Sequence, residues 1–264
     1  MTRYAIKGGT EGKDRLNVLA AVMRPTTLAL LQRAGIAPGR RCLDVGCGGG
    51  HVAIDMATLV GPTGHVTGID FDEAILELAR RDAAAEGLDT VEFRATDAKQ
   101  LAGGGFDLAY ARFLLSHVSE PLEIVRVMVA ALHLRGAIAV EDIDFRGSFT
   151  HPRSAAYDRY VELYRETVRR RGGDADLGPR LPELLHQAGL ERVRFRVVHP
   201  AHMDGDGKLV AYLTLHRIQE AIRADGLATQ DEVDQLLADL LAFTEDPRTL
   251  VSLPRIVQAW GTTA

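Results

Sequence analysis

A short apolar run that ends in an acid and then breaks into glycines constrains this chain more than any other stretch. Residues 41–50 read RCLDVGCGGG, with glycines at positions 46, 48, 49 and 50. Glycine adopts backbone angles that a Cβ disfavours, and it lets a ligand approach the main chain closely. A buried strand that leads through such a turn into a helix predicts a pocket for a nucleotide-like ligand.

The spacing of these glycines separates two kinds of pocket. A dinucleotide fingerprint has the form G-x-G-x-x-G; Gly46 and Gly48 fit it, but His51 stands where the third glycine belongs. Asp44 precedes the first glycine by two residues. The resulting pattern, L-D-x-G-x-G-x-G, resembles the first motif of the class I S-adenosylmethionine (SAM)-dependent methyltransferases.

This resemblance implies a role for each residue of the turn. The backbone of Gly46, Cys47, Gly48 and Gly50 would lie against the methionine half of SAM, and Asp44 would reach its ammonium group. Two alternatives stay open on the spacing alone: a strand-to-helix turn without a ligand, and a variant nicotinamide site.

Three acids follow three consecutive predicted strands. Strands and helices alternate over residues 39–145, which predicts a parallel sheet with right-handed crossovers. Asp44, Asp70 and Asp97 each stand at the end of one of its first three strands. Because ligands bind beyond the carboxyl ends of such strands, we expect the three carboxylates to line one site.

The family resemblance implies how the outer two acids act. Asp70 would accept hydrogen bonds from the ribose hydroxyls, and Asp97 would bind the adenine amino group. Phe71 and Ala98 would lie against the adenine ring. Asp70 could instead cap the following helix, a role for which Asp72 is better placed.

The stretch after the fourth strand carries information about the acceptor. Residues 112–118, RFLLSHV, resemble the corresponding part of small-molecule methyltransferases of quinone biosynthesis and natural-product tailoring. Enzymes that methylate exocyclic or amide nitrogens have a motif here that consists of an acid or Asn, two prolines and an aromatic residue. This chain lacks that motif, which argues against nucleobase and glutamine acceptors. A metal-ligating acid of the catechol type is also missing, so we predict no metal. Arg112 is assigned to the cofactor.

His117 is the candidate general base, if the reaction uses one. Asp142 follows the fifth strand, which neighbours the fourth in this topology, and it could orient the imidazole. A structural role is the alternative, because a single histidine is more often structural than catalytic.

The domain organisation is predicted as a core with helical additions. Residues 1–35 would form an N-terminal helical cap, and residues 36–147 and 181–264 a SAM-binding core. Residues 148–180 and 205–247 would be helical inserts that form a lid over the substrate, the second containing a helical pair over residues 207–245.

Four side chains outside the core are candidate ligand contacts. The cap is predicted as two helices separated at Pro25, with Tyr4 as a candidate for the substrate and Arg15 for the carboxylate end of the cofactor. The alternative for each is a solvated surface residue. Tyr157 and Tyr160 recur at helical spacing in the first insert. Such a stripe is either core or acceptor contact.

The fold class is therefore predicted as α/β, a Rossmann-like sheet of seven mostly parallel strands with helices on both faces. Its last strand, residues 250–260, would be antiparallel and inserted beside strand five. The net charge of −5 gives no electrostatic reason to expect a nucleic-acid partner. No apolar run is long enough to span a membrane. The two cysteines, Cys42 and Cys47, are too few and too close for a disulfide framework, so we expect a cytoplasmic protein. A monomer or homodimer is expected.

The predicted function is SAM-dependent methyl transfer to an O, N or C atom of a small organic acceptor. Orientation of the two reactants and exclusion of water would supply most of the rate enhancement. A SAM-binding protein without methyl transfer, or one that uses SAM for other chemistry, is the main alternative, and an NAD-dependent oxidoreductase is a weaker one. The sequence leaves the acceptor open.

Overall fold

The computed structural model describes residues 13–101 and 103–264. The α-helices of this part are α1 (Lys13–Arg33), α2 (His51–Val60), α3 (Glu73–Ala85), α4 (Pro121–Ala131), α5 (Ala155–Arg170), α6 (Leu181–Gln187), α7 (Val210–Ala224) and α8 (Gln230–Glu245). The strands are β1 (Arg41–Val45), β2 (His65–Asp70), β3 (Val91–Ala95), β4 (Phe106–Arg112), β5 (Leu132–Asp144), β6 (Thr150–His151), β7 (Glu191–Val198), β8 (Ala201–His202), β9 (Leu250–Ser252) and β10 (Arg255–Thr262). No helix of this part has the length and apolarity of a membrane span.

The main sheet has seven strands in the order β3-β2-β1-β4-β5-β10-β7. The strands from β3 to β5 pair in parallel, and β10 runs antiparallel to both β5 and β7. The predicted Rossmann-like sheet, with an antiparallel last strand beside the fifth, is confirmed. The reversal in strand order on either side of β1 places a crevice beyond the ends of β1 and β4.

One segment predicted as a single strand is divided in two. Residues 250–260 were expected to form the last strand, but β9 ends at Ser252 and β10 begins at Arg255. Pro254 lies between them and has no N–H for a strand ladder, which explains the interruption. β9 joins β6 and β8 in a small second sheet that the sequence did not predict.

α1 is one continuous helix, so the prediction of two helices separated at Pro25 is wrong. A proline inside a helix removes one backbone hydrogen bond. Residues on both sides of the proline are fully buried, with Met23 before it and Leu30 and Leu31 after it. Tertiary packing of both halves therefore stabilises the continuous helix.

Apolar side chains form three clusters, one on each face of the sheet and one beyond it. The third cluster joins α1, α5, α7 and α8 through residues such as Met23, Leu163, Leu215 and Leu236. α7 and α8 are the helical pair predicted for residues 207–245. The helix before the core and the helices of both inserted segments therefore share one core.

Candidate active site

The glycine turn after β1 adopts the backbone conformation that its sequence predicts. Gly46, Gly48 and Gly50 have φ values of 70°, 51° and 76°. The amides of Gly46 and Cys47 both donate to the Ile69 carbonyl, at 2.8 and 2.9 Å, which fastens the turn to the end of β2. A Cβ on Gly48 would meet no atom within 4 Å, so this peptide borders open space.

Asp44, at the end of β1, is a buried carboxylate with an unused acceptor. Its exposure is 2%, and its Oδ2 has no hydrogen-bond partner within the described residues. Burial raises the pKa of Asp44 to about 7, opposed by the charge of Arg112 and reinforced by that of Asp70. An unpaired oxygen at this depth is costly unless a ligand donates to it.

Asp70, at the end of β2, is fixed by two backbone amides. Its Oδ2 accepts from Gly48 N at 2.9 Å and its Oδ1 from Asp72 N at 3.1 Å. Burial raises the pKa of Asp70, although these hydrogen bonds oppose the shift. Asp72 is the N-cap of α3, accepting from Ala74 N at 3.0 Å, as predicted.

Asp97 follows β3 and caps a short turn. Its carboxylate accepts from Lys99 N at 2.9 Å, and the side chain is exposed at the edge of the sheet. Phe71 is 65% exposed at the same edge, an unusual position for a large apolar ring. Both side chains face the same cavity.

This cavity has a volume of about 600 Å³ and lies at the carboxyl ends of β1 to β4. Most of the predicted site residues line it: Arg15, Asp44, Gly46, Cys47, Gly48, Asp70, Phe71, Asp97, Ala98, Arg112 and His117. The three acids and the glycine turn therefore share one site.

His117 lines the cavity in the turn after β4 and is 9% exposed. Its Nε2 lies 3.4 Å from the Tyr164 hydroxyl. Burial, with a contribution from the charge of Arg15, lowers the pKa of His117 to about 3, so the ring is neutral near pH 7.

A buried carboxylate under the cavity joins four elements. Glu141 of β5 accepts from Thr27 Oγ1 of α1 at 2.5 Å and from Gln258 Nε2 of β10 at 2.6 Å. The hydroxyl of Tyr110, on β4, donates to the same carboxylate. Tyr110 also lines the cavity, so the network supports its floor.

Comparison with known proteins decides the family. Residues 36–171, about half of the chain, match the sequence family described as the methyltransferase domain. The chain belongs to this family. The predicted family is thereby confirmed, together with SAM as the cofactor that the family uses.

Individual relatives resemble parts of this methyltransferase. A demethylmenaquinone methyltransferase of Halalkalibacterium halodurans is 37% identical over 37% of the chain and 41% of that protein. A solved structure named as a methyltransferase, from Bacillus halodurans C-125, has a TM-score of 0.60 at 21% identity, covering 89% of this chain and 97% of that one. Phosphoethanolamine N-methyltransferase 2 of Haemonchus contortus, solved with phosphomonomethylethanolamine and S-adenosylhomocysteine, has a TM-score of 0.58 at 17% identity, covering 94% and 56%. The chain spans about 41 to 62% of the length of the first curated relatives that it matches.

The residues of the methyltransferase fit SAM in two respects. The buried, unpartnered Asp44 oxygen is a ready acceptor for an ammonium group. The open space at Gly48 is a cradle that side chains at the turn would fill.

Gly50 differs from its predicted role as a cofactor contact. A Cβ there would lie 2.7 Å from Ala79 Cβ and 2.8 Å from Phe93 Cζ, so this glycine allows α2 to pack close to α3 and β3. The cavity is lined by Gly49 and His51 instead. Glycine spacing alone does not distinguish a packing position from a lining position.

Asp142, predicted to orient the His117 imidazole, accepts instead from backbone amides. Its oxygens accept from Ser116 N at 2.9 Å and Ile143 N at 2.8 Å, and it is buried outside the cavity lining. It therefore holds the turn that carries His117. Burial raises the pKa of Asp142 to about 6.

The predicted substrate contacts of α5 are core residues. Tyr157 is 3% exposed and donates to the Ser252 carbonyl at 2.6 Å, and Tyr160 is equally buried. Phe145 stacks on Tyr164 next to them, with ring centroids 4.3 Å apart. Neither predicted tyrosine is in the cavity lining, which corrects that assignment. Tyr4 lies outside the described residues.

Several lining residues were missed by the sequence reasoning. Phe113 is one; its φ of 54° is strained for a bulky residue, and its amide donates to the Glu141 carbonyl at 2.9 Å. No sequence pattern identified Arg217 on α7 as a cavity residue, because only the fold brings α7 to the cavity. The lining residues that were not predicted include Leu16, Leu19, Tyr110, Phe113, Val118 and Arg217.

Proposed function

We propose that this methyltransferase transfers a methyl group from SAM to an O, N or C atom of a small organic acceptor. The observation that carries the proposal is the buried Asp44 carboxylate, whose Oδ2 has no partner in the described chain, beside an open glycine turn. A carboxylate in this environment requires a cationic or hydrogen-bond-donating ligand.

Each part of the cofactor has a candidate partner in the cavity. Asp44 would bind the ammonium group and Arg112 the carboxylate, while the backbone of the glycine turn borders the methionine half. Asp70 would accept from the ribose hydroxyls. The adenine would lie near Phe71, Asp97 and Ala98.

Bound SAM supplies a methyl group on a sulfonium that already has a good leaving group. The protein then contributes mainly orientation and exclusion of water, which together supply about 7 to 11 kcal/mol in oriented reactions. A general base would add roughly 10²- to 10⁴-fold in rate. His117 is the candidate for that role if the acceptor must lose a proton.

The helices α1, α5, α7 and α8 are proposed to form the lid over the acceptor. Arg15, Leu16 and Leu19 of α1 and Arg217 of α7 line the cavity, which supports this role. We place residues 36–147 and 181–264 in the SAM-binding core, with the inserts at residues 148–180 and 205–247 forming the lid together with α1. Residues 1–12 of the predicted cap lie outside the described residues.

We further propose a cytoplasmic monomer or homodimer whose partner is the small-molecule acceptor. The two cysteines are unpaired, which supports a reducing compartment. The acidic balance of the chain supports the absence of a nucleic-acid partner.

Titration calorimetry with SAM, S-adenosylhomocysteine and NAD tests the proposal. The wild-type protein should bind both sulfur ligands, and Asp70→Ala should lose a few kcal/mol of affinity because it removes charged hydrogen bonds. Asp89→Ala, at an exposed loop position, is the matched control. Binding of NAD in place of SAM would contradict the proposal. SAM binding without transfer to any acceptor would favour a binding protein.

A further inference from the structure

The strand β7 is one edge of the main sheet, because β10 is its only neighbour in the described part of the chain. Its regular register runs from Arg194, opposite Trp260, to Val198, opposite Ile256. The backbone groups on the outer side of β7 therefore have no neighbouring strand among the described residues. An edge of this kind can pair with an extended segment of another chain.

One face of β7 is apolar and open to solvent. Phe195 lies opposite Ala259 and Val197 opposite Val257, and the side chains of Phe195 and Val197 are 62% and 50% exposed. The helix α6 packs on this face and buries both partners on β10, yet it leaves the two β7 side chains uncovered. Adjacent exposed apolar side chains at a sheet edge form a surface for contact with another molecule.

A groove of about 510 Å³ lies beside these two side chains, and Pro179 and Pro182 supply more of its apolar wall. Its charged lining is a cluster in which Asp144 accepts from Arg146 Nε at 2.8 Å and from Arg255 Nη2 at 2.6 Å. Two guanidinium groups around one carboxylate leave a net positive charge. The groove therefore fits an apolar side chain and disfavours a cationic one.

The other face of β7 carries positive charge. Arg194 and Arg196 lie opposite Trp260 and Gln258, and Arg192 stands near the start of the strand. None of these three arginines has an ion-pair partner in the part of the chain that the structure describes. The chain as a whole has a net charge of −5, so this edge differs in sign from the rest. Such a row of like charges attracts a partner of opposite charge.

The arginines also argue against a second copy of this chain as the partner. A symmetric antiparallel pair of two β7 strands, centred on Arg194, Phe195 or Arg196, places arginine opposite arginine. Like charges directly opposite each other destabilise a strand pair. Charged side chains can protect a sheet edge from pairing, but that role does not explain why Phe195 and Val197 are exposed.

We propose that the outer edge of β7 binds an extended segment of an acidic partner protein as an additional strand, with acidic and apolar side chains alternating along that segment. The acidic side chains would lie beside Arg194 and Arg196, and the apolar ones would cover Phe195 and Val197 and enter the groove. Because successive residues of a strand point to opposite faces, one alternating segment satisfies both faces. This surface shares no lining residue with the active-site cavity, so it is independent of the proposed function.

Fluorescence anisotropy with defined peptides tests the inference on the full chain. The probe is a short fluorescein-labelled peptide of alternating glutamate and valine. One comparison peptide has lysine in place of glutamate, and another has the same composition with the glutamates and valines in separate blocks. The alternating glutamate peptide should bind about tenfold or more tightly than either, since charge and alternation both contribute.

Two methylated forms of the probe test whether it binds as a strand. One is methylated on the backbone nitrogens of the glutamates, and the other on those of the valines. A strand uses the N–H groups of alternate residues to pair with one neighbour. One methylated form should therefore lose binding while the other retains it.

Variants identify the residues that bind the probe. Arg194→Glu and Arg196→Glu should each weaken the glutamate peptide by about fivefold or more and strengthen the lysine peptide. Arg81→Glu, at an exposed position of α3 near the opposite edge of the sheet, is the charge control and should change neither. Phe195→Ser should weaken both alternating peptides, whereas Leu134→Ser, at another exposed apolar side chain, should not. Circular dichroism of each variant reports that it is folded.

Four results would overturn the inference. The first is equal affinity for the glutamate and lysine peptides, and the second is retained binding of both methylated forms. The third is a wild-type dimer in sedimentation that Phe195→Ser converts to a monomer, since a second copy would then cover the edge. The fourth is tighter binding of an oligothymidylate strand than of the glutamate peptide, since the arginines would then serve a phosphate backbone.

Discussion

Thr27 in the middle of α1 donates a hydrogen bond from Oγ1 to Oε1 of Glu141 on β5, at 2.5 Å. Both residues are buried, and 114 positions separate them in the sequence. Because Glu141 also accepts from Tyr110 and Gln258, one carboxylate ties the cap helix to three strands of the sheet. The position of α1 over the cavity thus depends on a polar contact in the centre of the molecule.

Thr27→Val should destabilise the protein by about 1.5 to 3 kcal/mol, since it removes a hydrogen bond to a buried charged group. Thr58→Val is the matched control, because Thr58 is exposed and its hydroxyl bonds only within its own helix, to the Ile54 carbonyl at 3.2 Å. Urea unfolding monitored by circular dichroism compares the two. Equal stabilities would show that the Thr27 contact is not important for folding.

Gly48→Ala should weaken binding of S-adenosylhomocysteine far more than it weakens folding. A Cβ at this position meets no protein atom within 4 Å, so it would enter the space proposed for the cofactor. Gly87→Ala is the control, with a similar positive φ of 68° and equally open surroundings away from the cavity. Both variants should lose comparable stability from backbone strain. Calorimetry that finds equal affinities for the two would place the cofactor elsewhere.

Asp44→Asn should stabilise the ligand-free protein increasingly as the pH rises. The folded-state pKa of Asp44 is raised from 3.8 to about 7, so the protonated carboxyl favours folding, and that contribution is lost as the pH rises toward 7. Asparagine does not titrate. The stability difference between variant and wild type should grow by up to about 1.4 kcal/mol per pH unit within this window and level off above it. Urea unfolding at pH 5, 6, 7 and 8 measures it; a constant difference would contradict the buried, unpaired state of Asp44.

The His117 imidazole should remain neutral from pH 8 down to pH 5. Its folded-state pKa of about 3 is below the ordinary value of 6.5, so stability should decline as the pH falls below 6.5, where the unfolded chain takes up the proton. NMR of labelled histidine rings reports the titration directly. His133, whose hydrogen bond to Asp107 raises its pKa, should titrate above 6.5 in the same spectra. A His117 midpoint between 6 and 7 would show that the ring is solvated.

Tyr157→Phe should reduce stability by about 1 kcal/mol through loss of the hydrogen bond to the Ser252 carbonyl. Affinity for S-adenosylhomocysteine and for the acceptor should not change, because Tyr157 is in the core of the helical cluster. Chemical denaturation and calorimetry on the same preparation separate the two effects. A loss of acceptor affinity at unchanged stability would restore the tyrosine to the site.

The sequence was sufficient for the sheet and for the acids at its edge. Asp44, Asp70 and Asp97 each end a strand, and parallel strands bring their carboxyl ends together, so a local pattern determined a long-range arrangement. The sequence was insufficient where contacts between distant residues determine which side chains are buried. Helical spacing grouped Tyr157 with Tyr160 without indicating what covers them.

Other differences have the same cause. A proline often ends a helix, but α1 continues through Pro25, because Met23 before it and Leu30 after it are both buried against the rest of the molecule. Arg15 and Arg217 meet at one cavity only because α1 and α7 pack together, and no short pattern records that contact.

The placement of β10 between β5 and β7 has a consequence for synthesis. A nascent chain that has emerged as far as β9 contains the glycine turn and its acids, but β5 still lacks the neighbour that carries Gln258. Until β10 emerges, the edge of β5 has unpaired backbone groups that can pair with another chain.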